Sequence, residues 1–495
     1  MFGFGVVSCT ALHAGLKSGV AHAGELSQSD SEKSDREAPS TIRGAPPSFA
    51  QKALSSWSET TLKRQATLSL FVHEGVDTER QYFRPQREIR LAERGSLLGD
   101  AQSFHWDLKL HMNRDVASPD RDLDEDYGTR YTRLLNGSVL GQSSQFIVRG
   151  LYWQRSEETW MFQIGSMQHI WGPADGINTL SVMNPQDLRF GLLGDKDSKY
   201  LAIPSAKLSL NQSDTNLSLT YAPWAQASLL PEPIHNYNIN LDNQNFKTVL
   251  QPRRSILLSP SAAVKLDKNI GGADVTALFY NGTDYDPIGI PTALEVKNNE
   301  PLELQVDQAQ FRKTSFGLGY NQVVGPWALK AEGLYTPKKR VLPVVDIDQI
   351  QDEVLPTPPR TGQHIQTSIG FNYFTPIRNL LGISLGETVV TAEYFRQRIF
   401  GKSLLPAVLS DLILMNIRTA ALDDQLEINI SQALDLSLHG NTHALKATYL
   451  GSTLNHSFIY TALGGRKPEG NNIASIFYYW RRNDSIAYEI SYNLK

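Results

Sequence analysis

From about residue 66 onward, apolar positions recur at every second residue. Phe104, Trp106, Leu108, Leu110 and Met112 alternate with mostly polar neighbours, as do Trp160, Phe162 and Ile164. The same period carries Leu217, Leu219 and Tyr221, then Trp327, Leu329, Ala331, Gly333 and Tyr335. It returns in Ile365, Thr367, Ile369, Phe371 and Tyr373, and in Leu454, His456, Phe458, Tyr460 and Ala462. Side chains of a strand point by turns to its two faces, so this period predicts strands with one apolar face. Tilted runs of about eight to eleven residues are long enough to cross a bilayer.

The connections fall into two classes that alternate. Arg155–Glu158, Asn211–Thr215, Lys268–Gly272 and Val323–Pro326 are short, whereas 171–200, 225–255, 282–308 and 337–362 are long and polar. A β-sandwich does not require that alternation; a barrel with tight periplasmic turns and long outer loops does. The expected fold is all-β: a single transmembrane antiparallel β-barrel of about 16 strands, between roughly 14 and 18. Trp153, Trp160, Trp224 and Trp327 sit near strand ends, where interfacial aromatic girdles lie. At the end of the chain Ile486, Tyr488, Ile490, Tyr492 and Leu494 alternate. This segment resembles the terminal strand recognised by barrel-assembly machinery, although it closes on Leu494-Lys495 rather than an aromatic residue. Residues 473–480 are expected in a last outer loop, as a protruding hairpin arm, so that the final strand ends in the periplasm.

Composition changes the picture in three ways. The 495 residues are 41% hydrophobic and contain no run of 18 apolar residues, which excludes ordinary transmembrane helices but not spanning strands. A net charge of −4 gives no reason to expect nucleic acid as a partner. The one cysteine, Cys9, lies in a segment, 1–23, that reads as a secretory signal ending in Ala21-His22-Ala23. No basic residue precedes its apolar stretch, and Lys17 interrupts the end. A lipoprotein reading through Val6-Val7-Ser8-Cys9 leaves too little apolar chain before the cysteine. After cleavage no thiol remains for a disulfide or a Cys-ligated metal. Residues 24–60 read as a polar flexible segment with at most a short helix near Ser48–Leu62, too short for a plug domain. Residues 61–495 form the barrel.

One segment carries a motif. Within 145–224 a loop begins Trp171-Gly172-Pro173-Ala174-Asp175-Gly176-Ile177-Asn178 and continues Asn184-Pro185-Gln186-Asp187-Leu188-Arg189. It follows a strand ending in Ile164-Gly165, and Asn483-Asp484 stands ahead of the last strand. This resembles the signature W-G-x-A-D-G-x-N, then N-P-x-D-L-R, of a large family of porin-like outer-membrane proteins. The resemblance implies a barrel in the outer membrane, sometimes working with a lipid-exporting system, and leaves the substrate undefined.

The residue types suit a stiff loop. Asp175-Gly176 favours a turn with positive φ at the glycine, and Pro185 fixes φ and removes a donor. Asn178, Asn184 and Asp187 can bond loop backbone. Arg189 can pair with Asp175 or Asp187, and Trp171 can anchor the loop to the wall. Two readings stay open. In one the loop caps or stiffens the barrel. In the other it enters the lumen and sets selectivity through Asp175, Asp187 and Arg189.

Other constellations carry less. Asp120, Asp122, Asp124, Glu125 and Asp126 lack the glycine and the closing Glu of a calcium loop. The eleven histidines show no metal spacing, and there is no G-x-S-x-G, phosphate loop or dinucleotide fingerprint. Neither a cofactor, a metal nor an enzyme activity is expected. Arg253-Arg254, Lys338-Lys339-Arg340 and Arg481-Arg482 are either solvated loop charges or contacts for lipopolysaccharide phosphates. Arg149, Lys207, Lys330, Glu332, Glu393 and Arg396 are candidates to face a water-filled lumen. Three functions compete: a channel for small solutes or lipidic compounds, a non-conducting partner of a periplasmic lipid or polymer exporter, and a soluble carbohydrate-binding protein. Expected partners are outer-membrane lipids, lipopolysaccharide, the assembly machinery and, for the second, that exporter.

Overall fold

The twofold alternation is realised as hydrogen-bonded strands in a computed structural model. It describes residues 61–75, 86–98, 101–112, 138–139, 144–187, 200–224, 228, 246–250, 259–286, 288–295, 302–343, 358–375, 379–380, 383–401, 410–466, 475, 477 and 484–494. The segments 1–23 and 24–60, the acidic run 120–126, Arg189, Arg253-Arg254 and Arg481-Arg482 lie outside the described residues.

The first strands are β1 (Thr61–Gly75), β2 (Gln86–Leu98), β3 (Gln102–Met112), β4 (Ser138–Val139), β5 (Ser144–Ser156) and β6 (Trp160–Met167). Next come β7 (Ile203–Gln212), β8 (Thr215–Ala222), β9 (Phe246–Leu250), β10 (Ser261–Ile270), β11 (Ala273–Thr283), β12 (Ile288–Glu295) and β13 (Leu302–Ala309). Then follow β14 (Arg312–Val324), β15 (Trp327–Val341), β16 (Arg360–Thr375), β17 (Asn379–Leu380) and β18 (Ile383–Phe400). The last are β19 (Asp411–Ala421), β20 (Leu426–Asp435), β21 (Gly440–Leu450), β22 (Leu454–Gly465) and β23 (Ser485–Leu494). Eighteen of them form one antiparallel wall, closed where β23 pairs with β1. The short β4 and β17 pair onto β5 and β18 from within connections. In the long connections β12 and β13 pair antiparallel, and β9 joins β13 in parallel.

The alternation is inverted relative to a water-soluble protein. Leu68, Ile164, Leu219, Phe279, Leu318, Ile369, Met415, Ile430 and Phe458 are exposed. Ser69, Ser218, Ser315, Ser368, Asn429, Ser457 and Thr461, on the opposite face of strands in that set, are buried. An apolar outside and a polar inside are stable only where lipid replaces water, and closure leaves no backbone edge for lipid to meet. The chain is therefore an outer-membrane β-barrel. The soluble carbohydrate-binding alternative required a wall without this apolar belt, and the belt overturns it.

The sequence-based strand number was about 16, and the wall has 18. One reason is visible at β20–β21. Residues 436–439 join these strands on the long-loop side in a turn as tight as a periplasmic one. Asp435 Oδ1 accepts the N–H groups of Ser437 and Leu438, and His439 adopts φ 53°. Loop length alone does not reveal such a hairpin. At the opposite rim, Gly271-Gly272 joins β10 to β11 with φ values of 60° and 85°, the type I′ geometry that suits paired strands.

An even number of wall strands puts the start of β1 and the end of β23 at the tight-turn rim. Ile490 stands opposite Leu70, Tyr492 opposite Leu68, and Leu494 opposite Ala66. Ile486, Tyr488 and Tyr492 are exposed on the lipid side. The segment before β23 is not a protruding arm at the positions described: Ser475 and Phe477 are fully buried, and the Ser475 hydroxyl donates to Asp435 (2.7 Å). Near Ser48–Leu62, Leu62 belongs to β1 rather than to a helix.

Candidate functional site

At the end of β6 the chain leaves the wall and enters the lumen. The side chain of Asn184 pins the point of entry: its Oδ1 accepts the His169 N–H, and its Nδ2 donates to the carbonyls of Leu201 (2.7 Å) and Met167 (3.4 Å). Entry and return of the loop are thus fastened together. Pro185 adds a second tie, because its carbonyl accepts the Leu201 N–H (2.9 Å). His169 is buried against Ser205 of β7, with Nε2 and Oγ 2.8 Å apart. Burial, reinforced by the Lys207 ammonium, lowers its pKa to about 3, so the ring is neutral.

Beyond this point one face of the loop is apolar. Trp171, Leu180, Val182 and Met183 pack with Ile203, Leu278, Tyr280 and Leu334 of the wall. The Trp171 N–H donates to Ser181 Oγ (2.8 Å), and that hydroxyl donates back to the Trp171 carbonyl (3.0 Å). Trp171 thus sits in the buried cluster that joins loop and wall.

Two carboxylates from distant strands hold the loop backbone. Glu332 on β15 accepts from the N–H groups of Ala174 (2.7 Å), Thr179 (2.7 Å) and Leu180 (3.3 Å), and from the Thr179 hydroxyl (2.7 Å). Glu393 on β18 accepts from Asp175 (3.1 Å), Gly176 (3.1 Å) and Ile177 (3.0 Å). Bonds from backbone N–H to an ionised carboxylate are each worth about 1.5–3 kcal/mol, and losing the acceptor would strand buried donors. Lys330 Nζ pairs with Asp175 Oδ2 at 2.6 Å.

Gly172 has φ +93°, and a β-carbon there would collide with Glu332. The positive φ expected at Gly176 is found at Gly172 instead. Gly176 lacks a left-handed φ and is small because Leu414 of β19 fills the space beside it. Asn178 Nδ2 bonds the Gly172 carbonyl (3.3 Å). Asp187 lies half-buried at the end of the described stretch.

The contacts of the loop run along one side of the barrel, from Ser205 on β7 to Leu414 on β19. Other charges cluster on β2, β3, β5 and β23. Asp107 is bound by Arg149 (2.7 Å) and Arg94 (2.8 Å), and Arg90 lies 3.8 Å from Glu489. Lys265 pairs with Asp267 at 2.7 Å, close to the half-buried Lys207. Near the outer rim Asp284 is buried between Lys313 (3.0 Å) and Lys339. Burial alone would raise its pKa, but the two ammonium groups hold the carboxyl well below the usual range.

Five of the six expected lumen residues, Arg149, Lys207, Lys330, Glu332 and Glu393, face inward. Arg396 does not. It has the opposite parity to Glu393 on β18, is half exposed on the outside, and lies 3.5 Å from Asp411. A β-bulge between Thr336 and Lys339 likewise turns Lys339 inward to Asp284, while Lys338 and Arg340 stay exposed.

No family model matches this chain, and no curated protein matches it in sequence. The kinship suggested by the loop motif therefore stands as a resemblance. Solved structures similar to it are outer-membrane proteins. The Pseudomonas aeruginosa OccK9 (OpdG) structure has 10% identity and a TM-score of 0.46 over 89% of this chain and 99% of that one. P. aeruginosa OccK2 (OpdF), solved in complex with glucuronate, has 11% identity and a TM-score of 0.44 over 88% and 98%. Acinetobacter baumannii OccAB3 has 11% identity and a TM-score of 0.43 over 88% and 99%. Likenesses this distant carry no solute and no residue role over to this chain.

Sequence reasoning expected Trp171 to meet the wall but named no wall residue as its partner. Glu332 and Glu393 were legible as inward acids on strands, but not as ligands of loop backbone, because the contacts span 158 and 218 positions. Arg90, Arg94 and Asp107 were missed; their inward parity was the available signal.

Proposed function

We propose that the barrel is a passive outer-membrane channel for small water-soluble solutes, narrowed by the loop from 168 to 187 and favouring anions. The observation that carries this reading is the division of the lumen. The loop is bonded along the β7–β19 side, and the β2, β3, β5 and β23 side presents Arg90, Arg94 and Arg149 against Asp107 and Glu489. Among the described ion pairs there, three guanidinium groups stand against two carboxylates, which leaves them net positive. A charged wall raises the local concentration of its counter-ion. The polar inner face also supports a water-filled path over an export partner, for which a more apolar lumen is expected. On this reading no chemical step occurs in the lumen, and the charge pairs orient solutes without reacting with them.

The test is insertion of the purified protein into planar bilayers under a salt gradient. Reproducible single-channel steps with a reversal potential displaced toward the anion are expected, and Arg94→Gln with Arg149→Gln should move it toward the cation. Absence of steps, with a lipid or a periplasmic protein retained on purification, would replace this reading with the export one.

A further inference from the structure

The outward turn of Arg396 has a consequence for the outer face of the barrel. Even-numbered residues of β18 from Val390 point to lipid. From the hydrocarbon level upward they are Val390, Ala392, Tyr394, Arg396, Arg398 and Phe400. Successive members of such a row are about 6.8 Å apart, so this strand passes from an apolar belt, through a tyrosine, to two guanidinium groups. The rise is toward the long-loop rim, which is the outer one.

The neighbouring strands do not neutralise the pair. On β16 Arg396 stands opposite Thr367 and Arg398 opposite Ile365, and on β19 Asp411 stands opposite Arg396. Asp411 binds Arg398 Nη2 (2.6 Å), lies 3.5 Å from Arg396 Nε and accepts the Tyr394 hydroxyl (2.8 Å). Arg398 Nη1 also donates to the Gln397 carbonyl (3.2 Å). One carboxylate cannot use the five N–H donors that each guanidinium carries. The side chains of Arg396 and Arg398 remain 50% and 37% exposed. An uncompensated cation on the lipid face is costly at mid-bilayer and nearly free at headgroup level. The row therefore fixes the headgroup plane of the outer leaflet at Arg396 and Arg398. Farther up, Arg340 of β15 is exposed, its guanidinium 5.7 Å from the Phe311 ring.

We propose that Arg396 and Arg398 form a binding site for the phosphate of an outer-leaflet glycolipid of the lipid A type. Its acyl chains would lie along the apolar row below, against Ala392, Ile369 and Met415. Tyr394 and Asp411 set the spread of the two guanidinium groups, and planar forks of this kind match phosphate oxygens in pairs. This site rests on the barrel and its orientation, and not on what crosses the lumen.

The experiment is native mass spectrometry of the detergent-purified full chain titrated with bisphosphorylated lipid A, dephosphorylated lipid A and inorganic phosphate. Arg396→Gln with Arg398→Gln is expected to weaken retention of bisphosphorylated lipid A at least tenfold. Arg396→Lys with Arg398→Lys should keep most of it, and Arg155→Gln at the opposite rim should change nothing. Resistance of the unheated barrel to unfolding on a gel shows that each variant is folded, and unchanged single-channel conductance separates this site from the channel reading. Equal retention by the double Gln variant, or equal retention of the dephosphorylated lipid, overturns the proposal. Inorganic phosphate competing at the same concentration as lipid A also overturns it, in favour of a soluble anion.

Discussion

The Oε1 atom of Glu332 occupies the place where a β-carbon on Gly172 would stand. The loop can therefore dock on β15 only if residue 172 has no side chain and adopts its φ of +93°, a conformation that other residues enter at a cost of about 1–3 kcal/mol. Gly172→Ala is expected to lift the loop from Glu332 without opening the wall. Single-channel conductance should rise, and limited proteolysis should cut within 172–180, while resistance to detergent unfolding stays near that of the parent.

Glu393 accepts three successive backbone N–H groups, Asp175 to Ile177. Glu393→Ala leaves the buried Ile177 N–H unmatched, at about 1–3 kcal/mol in the docked state, and the half-buried N–H groups of Asp175 and Gly176 at less. The expected result is a loop that samples open positions, seen as noisier and larger current steps. Glu393→Gln keeps one good acceptor and should be milder. Identical current traces for both variants would argue that the loop does not govern the path.

His169 makes loop docking sensitive to acid. Its docked pKa of about 3 lies below the ordinary histidine value of 6.5. Between these values an undocked histidine binds a proton that the docked one refuses, so docking weakens as pH falls from 6.5 toward 3. The slope is at most about 1.4 kcal/mol per pH unit. Above pH 6.5 this residue contributes no dependence. Conductance recorded from pH 7.5 to 4 should rise in the parent, and His169→Gln should flatten the curve over that interval.

Asp284 gives the outer rim its own acid response. Its carboxyl titrates below the usual range, so its contribution is present above that range and disappears as pH falls through the lowered value. Asp284→Asn leaves Lys313 and Lys339 without the carboxylate that pairs with both, a loss of about 3–5 kcal/mol where one partner of a buried pair is removed. Heat-unfolding monitored by the gel shift of the barrel is expected to start at a lower temperature for that variant at neutral pH.

The barrel was legible because its alternation is local: neighbours such as Trp327, Leu329 and Tyr335 declare a face without reference to any other strand. Strand number was less legible, since the Leu436–His439 turn breaks the short-long rhythm of the connections. The loop motif announced stiffness, yet the register that brings Glu332 and Glu393 to it depends on wall closure and has no local signature. Arg396 was assigned the wrong face for a simpler reason. Charge suggested water, whereas the count of residues from Glu393 along one strand gives the outside. At Lys339 the bulge after Thr336 resets that count, so neither charge nor simple alternation alone sufficed.

The seam between β1 and β23 sets an order on the making of the molecule. Every other wall junction joins neighbours along the chain, apart from short insertions, and can form as soon as two successive strands exist. The junction of Leu70 with Ile490 needs the two most widely separated strands of the wall. Until they meet, the sheet has two long raw edges, each able to template pairing with foreign chains. The clasp therefore cannot form before both ends of the wall are in place, and until then nothing within the wall covers those two edges.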